Sequence, residues 1–281
     1  MKRSHKLLTL LAGGLLLATG GALAQYGWWN DQPLDDRRGV PDWDNSADFK
    51  HDVFTFVRIQ YDDHYGGRGW GRRGGRWAID YPDCELNFSY RLQQLTSMKV
   101  NPDPIVLRLT DPKLPDYPFI YIIEPGNLLF SEEEVVALRN YLENGGFLMV
   151  DDYWGDRAYQ NFYQQIKRVF PTREPVELPL EHEIFQCVYR LKEKPQVNSI
   201  AAAAQGRPWG ITWENHDGDS RTVHYQGIFD DKGRMMVILC HNTDLGDGWE
   251  REGDNEWYFR EFSEKKAYPM GINIVFYAMT H

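Results

Sequence analysis

A chain of 281 residues with 42% apolar, 26% charged and 14% aromatic side chains has the aromatic content that disordered chains lack, and so builds a core. A formal charge of −10 argues against wholesale binding to nucleic acid or anionic lipid, and three cysteines are too few for a disulfide-built scaffold. One apolar run exists, near residue 1, which excludes a polytopic membrane protein.

That run has the order of an export signal. Lys2, Arg3 and Lys6 precede apolar Leu7–Leu17, and Ala22-Leu23-Ala24 supplies a small-x-small cleavage site. A cleaved signal peptide ending at Ala24 is therefore expected, with the protein exported to a periplasm. The alternative, a retained anchor, has a run short of the roughly 20 residues a spanning helix needs. Gln25 rather than Cys follows the site, so no lipid attachment is expected. Losing three basic and no acidic residues takes the formal charge from −10 to −13. Residues 25–52 then read as an extended arm whose Trp28, Trp29 and Trp43 are expected to dock it on the body, docking on a partner being the alternative.

From Val53 the pattern becomes regular. Val53–Tyr61 reads as a first strand, followed by a Gly/Arg-rich loop from His64 to Arg76 and a helical spacing over Leu86–Leu95. Ile105–Leu109 is a short strand and Phe119–Ile123 a buried one. Ser131 and Glu134 form a capping box that opens a helix through Val135, Leu138 and Leu142, stopped at Asn144-Gly145-Gly146. Phe147–Val150 is the next strand, ending in Asp151-Asp152, and an amphipathic helix from Arg157 to Phe170 closes at Pro171. Strands alternating with helices predict an α/β fold, a mainly parallel sheet with helices on both faces.

The C-terminal half is more elaborate. Glu177–Leu191 has no clear period, and Ile200–Ile211 reads as loop or short strand. Thr222–Phe229 and Arg234–Cys240 resemble a β-hairpin, and Pro269–Met279 a final helix. One α/β domain over residues 53–281 accounts for all of this. Cys187 and Cys240 lie in strand-like segments and Cys84 in a polar loop, so three free thiols with two buried are expected; one disulfide is the alternative.

Several clusters, in order, resemble the bacterial family called domain of unknown function 4159. Early ones are Arg58-Ile59-Gln60-Tyr61, Trp77 with Asp80-Tyr81-Pro82, Asn87-Phe88 with Arg91-Leu92, and Tyr117-Pro118-Phe119-Ile120-Tyr121. Later ones are Tyr141 to Leu148, Asp151-Asp152, Asn242 with Asp244 and Gly246-Asp247, Trp249-Glu250 and Tyr268 to Asn273. The resemblance implies a class I glutamine amidotransferase-like, flavodoxin-like sheet over nearly all of 53–281, and it implies no reaction.

The chemistry of that fold is not written in this chain. An amidotransferase needs a Cys nucleophile on a glycine-flanked turn, and no Gly-x-Cys-x-Gly occurs. Cys240-His241 follows a strand without glycines, and no Gly-x-Ser-x-Gly elbow, phosphate loop or dinucleotide fingerprint exists. Acids at strand ends remain. Asp151 and Asp152, with Trp154 beyond them, lie where open α/β sheets place ligand crevices. Asn242, Asp244 and Asp247 occupy a glycine-containing loop after another strand. Asp152, Asp244 and Asp247 are oxygen donors suited to Ca²⁺ or Mg²⁺, although turns and helix caps select the same residues. No other cofactor is expected. His182, His216, His224 and His241 are scattered and give no zinc spacing. The Arg/Gly run at Gly66–Arg76 suits a mobile loop or an anionic partner better than nucleic acid in an acidic exported protein. Trp70, Trp77, Trp154, Trp209, Trp213 and Trp249 are cleft wall or core, or a stacking surface for sugar.

Two functions follow. The first is a periplasmic module that binds a ligand or an envelope protein partner through the strand-end crevice. The second is a carboxylate- or metal-dependent hydrolase of carbohydrate or envelope material. The distance between residues 151–152 and 244–247 separates them.

Overall fold

Alternation of apolar residues along three strands sets the architecture. In the computed structural model, which describes residues 36–49, 52–64 and 75–281, Phe119, Tyr121 and Ile123 face one core while Ile120 and Ile122 face a second. Phe147 and Met149 divide in the same way from Leu148 and Val150, and Ile238 and Cys240 from Val237 and Leu239. A sheet apolar on both faces must be covered on both.

The seven-stranded sheet has the order β5-β2-β6-β8-β11-β10-β9. Its strands are β2 (Val57–Ile59), β5 (Ile105–Leu107), β6 (Phe119–Ile123), β8 (Phe147–Tyr153), β9 (Val176–Glu177), β10 (His224–Phe229) and β11 (Met235–His241). β5 through β11 run parallel, and β10 and β9 add an antiparallel edge. The first core is covered by α1 (Asp83–Leu95) and by a C-terminal run of α6 (Glu256–Tyr258), a π-helical turn Phe259–Ala267 and α7 (Tyr268–Thr280). The second lies under α2 (Glu132–Glu143) and α3 (Gly155–Val169). β1 (Val53–Phe54) pairs with β4 (Lys99–Val100), and β3 (Asp62–Asp63) with β7 (Leu128–Leu129), in two small sheets. No described helix is long and apolar enough to cross a membrane.

The capping box at Ser131 and Glu134 is present, with Glu134 N donating to Ser131 Oγ at 3.1 Å and Ser131 N to Glu134 Oε2 at 2.9 Å. The hairpin and the final helix also stand as expected. Four expectations need correction. The first strand is two: the chain changes partner after Phe54, from β4 to β5 and β6, and alternation of side chains cannot register a change of partner. Residues 200–206 are a helix, α4 (Ile200–Gly206), because Ser199 caps Ala202 N and four alanines are strong helix formers. Cys84 is not in a loop but buried in the first turn of α1, where Asp83 and Glu85 are the acids a helix start favours. β8 continues through Asp151 and Asp152 instead of stopping before them.

All three cysteines are free: Cys84 and Cys240 are buried and Cys187 is exposed. Over its described part the arm lies against the body, with Trp43 Nε1 donating to the Val100 carbonyl at 2.8 Å and Arg37 ion-paired to Asp103. The signal segment, Trp28, Trp29, Trp70 and most of the Gly/Arg run fall outside the described residues.

Candidate functional site

The carboxyl ends of β2, β6, β8 and β11 bring the strand-end acids together. β2 is flanked by β5 on one side and β6 on the other, so the sheet reverses its winding beside β2, where α/β folds open a crevice. Asp152 near the end of β8, Asp244 after β11 and Asp80 on the loop after Arg76–Ala78 converge there. One carboxylate oxygen of each lies within 4.8 Å of the other two.

A bulge decides which aspartate does what. Leu239 pairs with Val150 and His241 with Tyr153, so two residues of β8, Asp151 and Asp152, oppose Cys240 alone. Asp151 is fully buried, and its Oδ2 accepts Gly246 N at 3.0 Å and Tyr121 OH at 3.1 Å. Burial pushes its carboxyl up to about 7, against the pull of those donors. Asp152 is half-buried and, among the described residues, accepts one hydrogen bond, from Trp154 Nε1 at 3.3 Å. It lines a pocket of about 180 Å³ with Arg76, Glu124, Trp154, Glu214 and His216.

Asp244 and Asp247 belong to a short helix, α5 (Leu245–Glu250). Asp244 Oδ1 caps it by accepting Asp247 N at 2.7 Å, while Asp247 Oδ2 accepts Ile200 N at 2.7 Å. Asp247 also stands beside Asp80 and Glu250 in a second acidic group, again with oxygens within 4.8 Å of one another. Asn242 lies behind the crevice as a clamp. It accepts Gly155 N at 2.9 Å and donates to the carbonyls of Asp219 and Thr222 at 2.9 and 2.7 Å.

Charge is poorly compensated here. Burial and the neighbouring Glu250 and Asp247 hold the Asp80 carboxyl well above the usual carboxylate range. Burial with Glu124 and Asp80 does the same to Asp152, and burial with Asp152 and Asp247 to Asp244. Among the described residues none of these three has a Lys, Arg or His partner within 4 Å, and Asp80 Oδ2 is buried without any hydrogen-bond donor. The backbone is strained at the same place. Asp80, Glu124, Asp152 and Asn242 have φ of 62°, 47°, 54° and 59°, leaving Arg38 as the one other described non-glycine residue in that region.

The tryptophans divide. Trp249 is fully buried against Phe88 at 4.5 Å, and Trp154 is nearly buried, its ring parallel to His216 within 16°. Trp209 is 75% exposed. The histidines are hydrogen-bonded singly: His216 with Glu214, His224 with Glu177 and His241 with the Gly155 carbonyl.

Sequence reasoning on strand ends did not single out Asp80, Glu124, Glu214 or Glu250. Asp80 and Glu250 did stand in clusters that carry the family resemblance, and this was their one available signal. A family model described as Domain of unknown function (DUF4159) matches residues 55–279. No curated protein matches the chain.

Proposed function

The chain belongs to the family described as Domain of unknown function (DUF4159), whose description assigns no reaction, and from its site we propose an exported ligand-binding module that engages its ligand through a divalent cation. The observation that carries this reading is the convergence of Asp80, Asp152 and Asp244 within 4.8 Å without a basic partner among the described residues. Three crowded, half-buried or buried carboxylates are stable only when protonated or neutralised. A donor set made solely of oxygens suits Ca²⁺ or Mg²⁺ rather than zinc or copper. Three protein ligands leave coordination positions free, and half-buried Asp152 carries the site to the edge of the 180 Å³ pocket, where oxygens of a ligand can complete the shell. The N-terminal basic, apolar and small-residue order supports export.

Titration calorimetry of the mature protein with CaCl₂ and MgCl₂ tests the cation. One saturable ion is expected for the wild type and none for Asp80→Asn or Asp152→Asn, while the exposed-helix control Glu261→Gln binds as the wild type does. Absence of heat from the wild type with both ions sinks the reading. Export predicts a mature N-terminus at Gln25 by mass spectrometry of the secreted protein, and an intact Met1 there contradicts it.

A second reading, cation-assisted hydrolysis, draws on one observation. Asp152 and Glu124 line the same pocket, and burial raises both carboxyls above the usual carboxylate range, as it does in acid–base pairs. Cation-dependent turnover of ester or glycoside substrates, lost in Asp152→Asn, would favour it over binding alone.

A further inference from the structure

Asp80 is shared between two acidic groups. With Asp152 and Asp244 it forms the cation site proposed above, and with Asp247 and Glu250 it forms a second triad of the same dimensions. A carboxylate common to two oxygen triads is the arrangement that bridges paired metal ions. The second triad, unlike the first, already holds a positive charge. Arg251, at the C-terminal cap of α5, places Nε 2.8 Å from Glu250 Oε2 and 3.4 Å from Asp247 Oδ1, with Nη1 3.6 Å from Asp254.

This is not an ordinary surface ion pair. The carboxylates it covers are 13% and 7% exposed at their side chains, whereas Arg251 itself is 36% exposed. The guanidinium therefore lies on the solvent side of buried Asp247 and half-buried Glu250, with exposed Asp254 at its outer edge. Asp80, between the triads in connectivity, keeps its buried Oδ2 without a hydrogen-bond donor. Space is kept beside that oxygen by Gly246, where a Cβ would stand 3.3 Å from Asp80 Oδ2 and 3.0 Å from Tyr121 Oη.

We propose that Arg251 is a built-in counter-cation: it occupies the second cation position of the crevice, limits its capacity to one divalent ion and weakens the binding of that ion. The inference rests on the cation reading of the site. A guanidinium stays charged at every accessible pH, so the position is permanently filled. Its charge repels a divalent ion at Asp80 and, through the shared carboxylate, draws off part of the negative field that would hold the ion.

Calorimetry with CaCl₂ and MgCl₂ again provides the test, now on Arg251→Gln and Arg251→Lys. The glutamine variant keeps hydrogen-bonding capacity and loses the charge; it is expected to bind two ions, the first roughly tenfold tighter than in the wild type. Adding Glu250→Gln to it returns the stoichiometry to one. Arg251→Lys keeps the charge and stays at one ion, and Arg251→Met, which also removes the charge and is expected to bind two ions, takes the place of the glutamine variant if that does not fold. One ion at wild-type affinity in Arg251→Gln, or two ions in Arg251→Lys, overturns the counter-cation and leaves the one-ion site standing. A wild type that binds no ion overturns the site itself.

Discussion

Replacing Arg58 by methionine is expected to cost about 3–5 kcal/mol of folding stability, the range for breaking a buried ion pair from one side. Arg58 stands on β2 with no exposed surface, its Nε paired to the equally buried Glu85. Nη1 donates to the carbonyls of Trp77 and Ile79 at 3.1 Å each, and Nη2 to Cys84 Sγ at 3.2 Å. The guanidinium carbon lies 4.9 Å from the centre of the Tyr121 ring. Burial opposes the charge, but Glu85 and the neighbouring groups outweigh it and hold Arg58 above its ordinary pKa. Methionine would fill the space and leave Glu85 without its partner in a dry core, beside two carbonyls without donors. Arg58→Met combined with Glu85→Leu is expected to lose less than Arg58→Met alone, because no orphaned charge remains. Urea unfolding of the four proteins of the double-mutant cycle measures this. A loss below about 1 kcal/mol for Arg58→Met would mean that the pair is not what holds this corner. The corner matters to the crevice, since one carbonyl that Arg58 grips, that of Ile79, immediately precedes Asp80 and the other, that of Trp77, lies two residues further back. Arg58→Met is therefore expected to weaken Ca²⁺ and Mg²⁺ binding as well as the fold.

What the sequence makes legible follows from range. Phe119–Ile123 and the Ser131–Glu134 box are local patterns, readable within a few residues, and the structure contains both. The parallel order of the sheet followed from strand–helix alternation. Asp151, Asp152, Asp244 and Asp247 drew attention because strand ends can be located from local patterns. Asp80 could not be located that way. It joins the others only when β2 is placed beside β6, and that pairing is long-range. The bulge opposite Cys240 was hidden too, so adjacent Asp151 and Asp152 gave no sign that one would be buried under Gly246 and Tyr121 while the other lined a pocket. Arg251 was hidden for a related reason: a charge beside acids in sequence reads as surface, and only burial of its partners changes that. Local chemistry marks the pieces, and closure of the sheet decides which of them meet.

Acid should expose a weak point at the same end of the sheet. His241 closes β11 at 6% exposure, with Nε2 3.1 Å from the Gly155 carbonyl and its ring 5.0 Å from both Tyr153 and Tyr159. Burial lowers its pKa from 6.5 to about 4, against the pull of the Gly155 carbonyl. Between these values the unfolded chain takes up a proton that the folded one refuses, so stability falls as pH drops through the window. The full effect is about 3 kcal/mol, complete near pH 4. Asp151 and Glu250, both raised to about 7, act in the opposite direction because the folded state keeps their protons. The His241 contribution is thus visible only as a difference. His241→Gln retains a donor for Gly155 without a titrating group, and its stability relative to the wild type is expected to rise by about 3 kcal/mol between pH 7.5 and 4. Urea unfolding at pH 7.5, 6 and 4 gives that difference directly, and a flat one would show that the folded protein accommodates the imidazolium. Gly155 connects His241 to the crevice. It starts α3 at φ 76°, is held by Asn242 through its N–H and by His241 through its carbonyl, and directly follows Trp154 in the pocket wall. Charging His241 strengthens its donation to the Gly155 carbonyl, so the cost of acid falls on burying the imidazolium between Tyr153 and Tyr159 and not on the hold over that glycine.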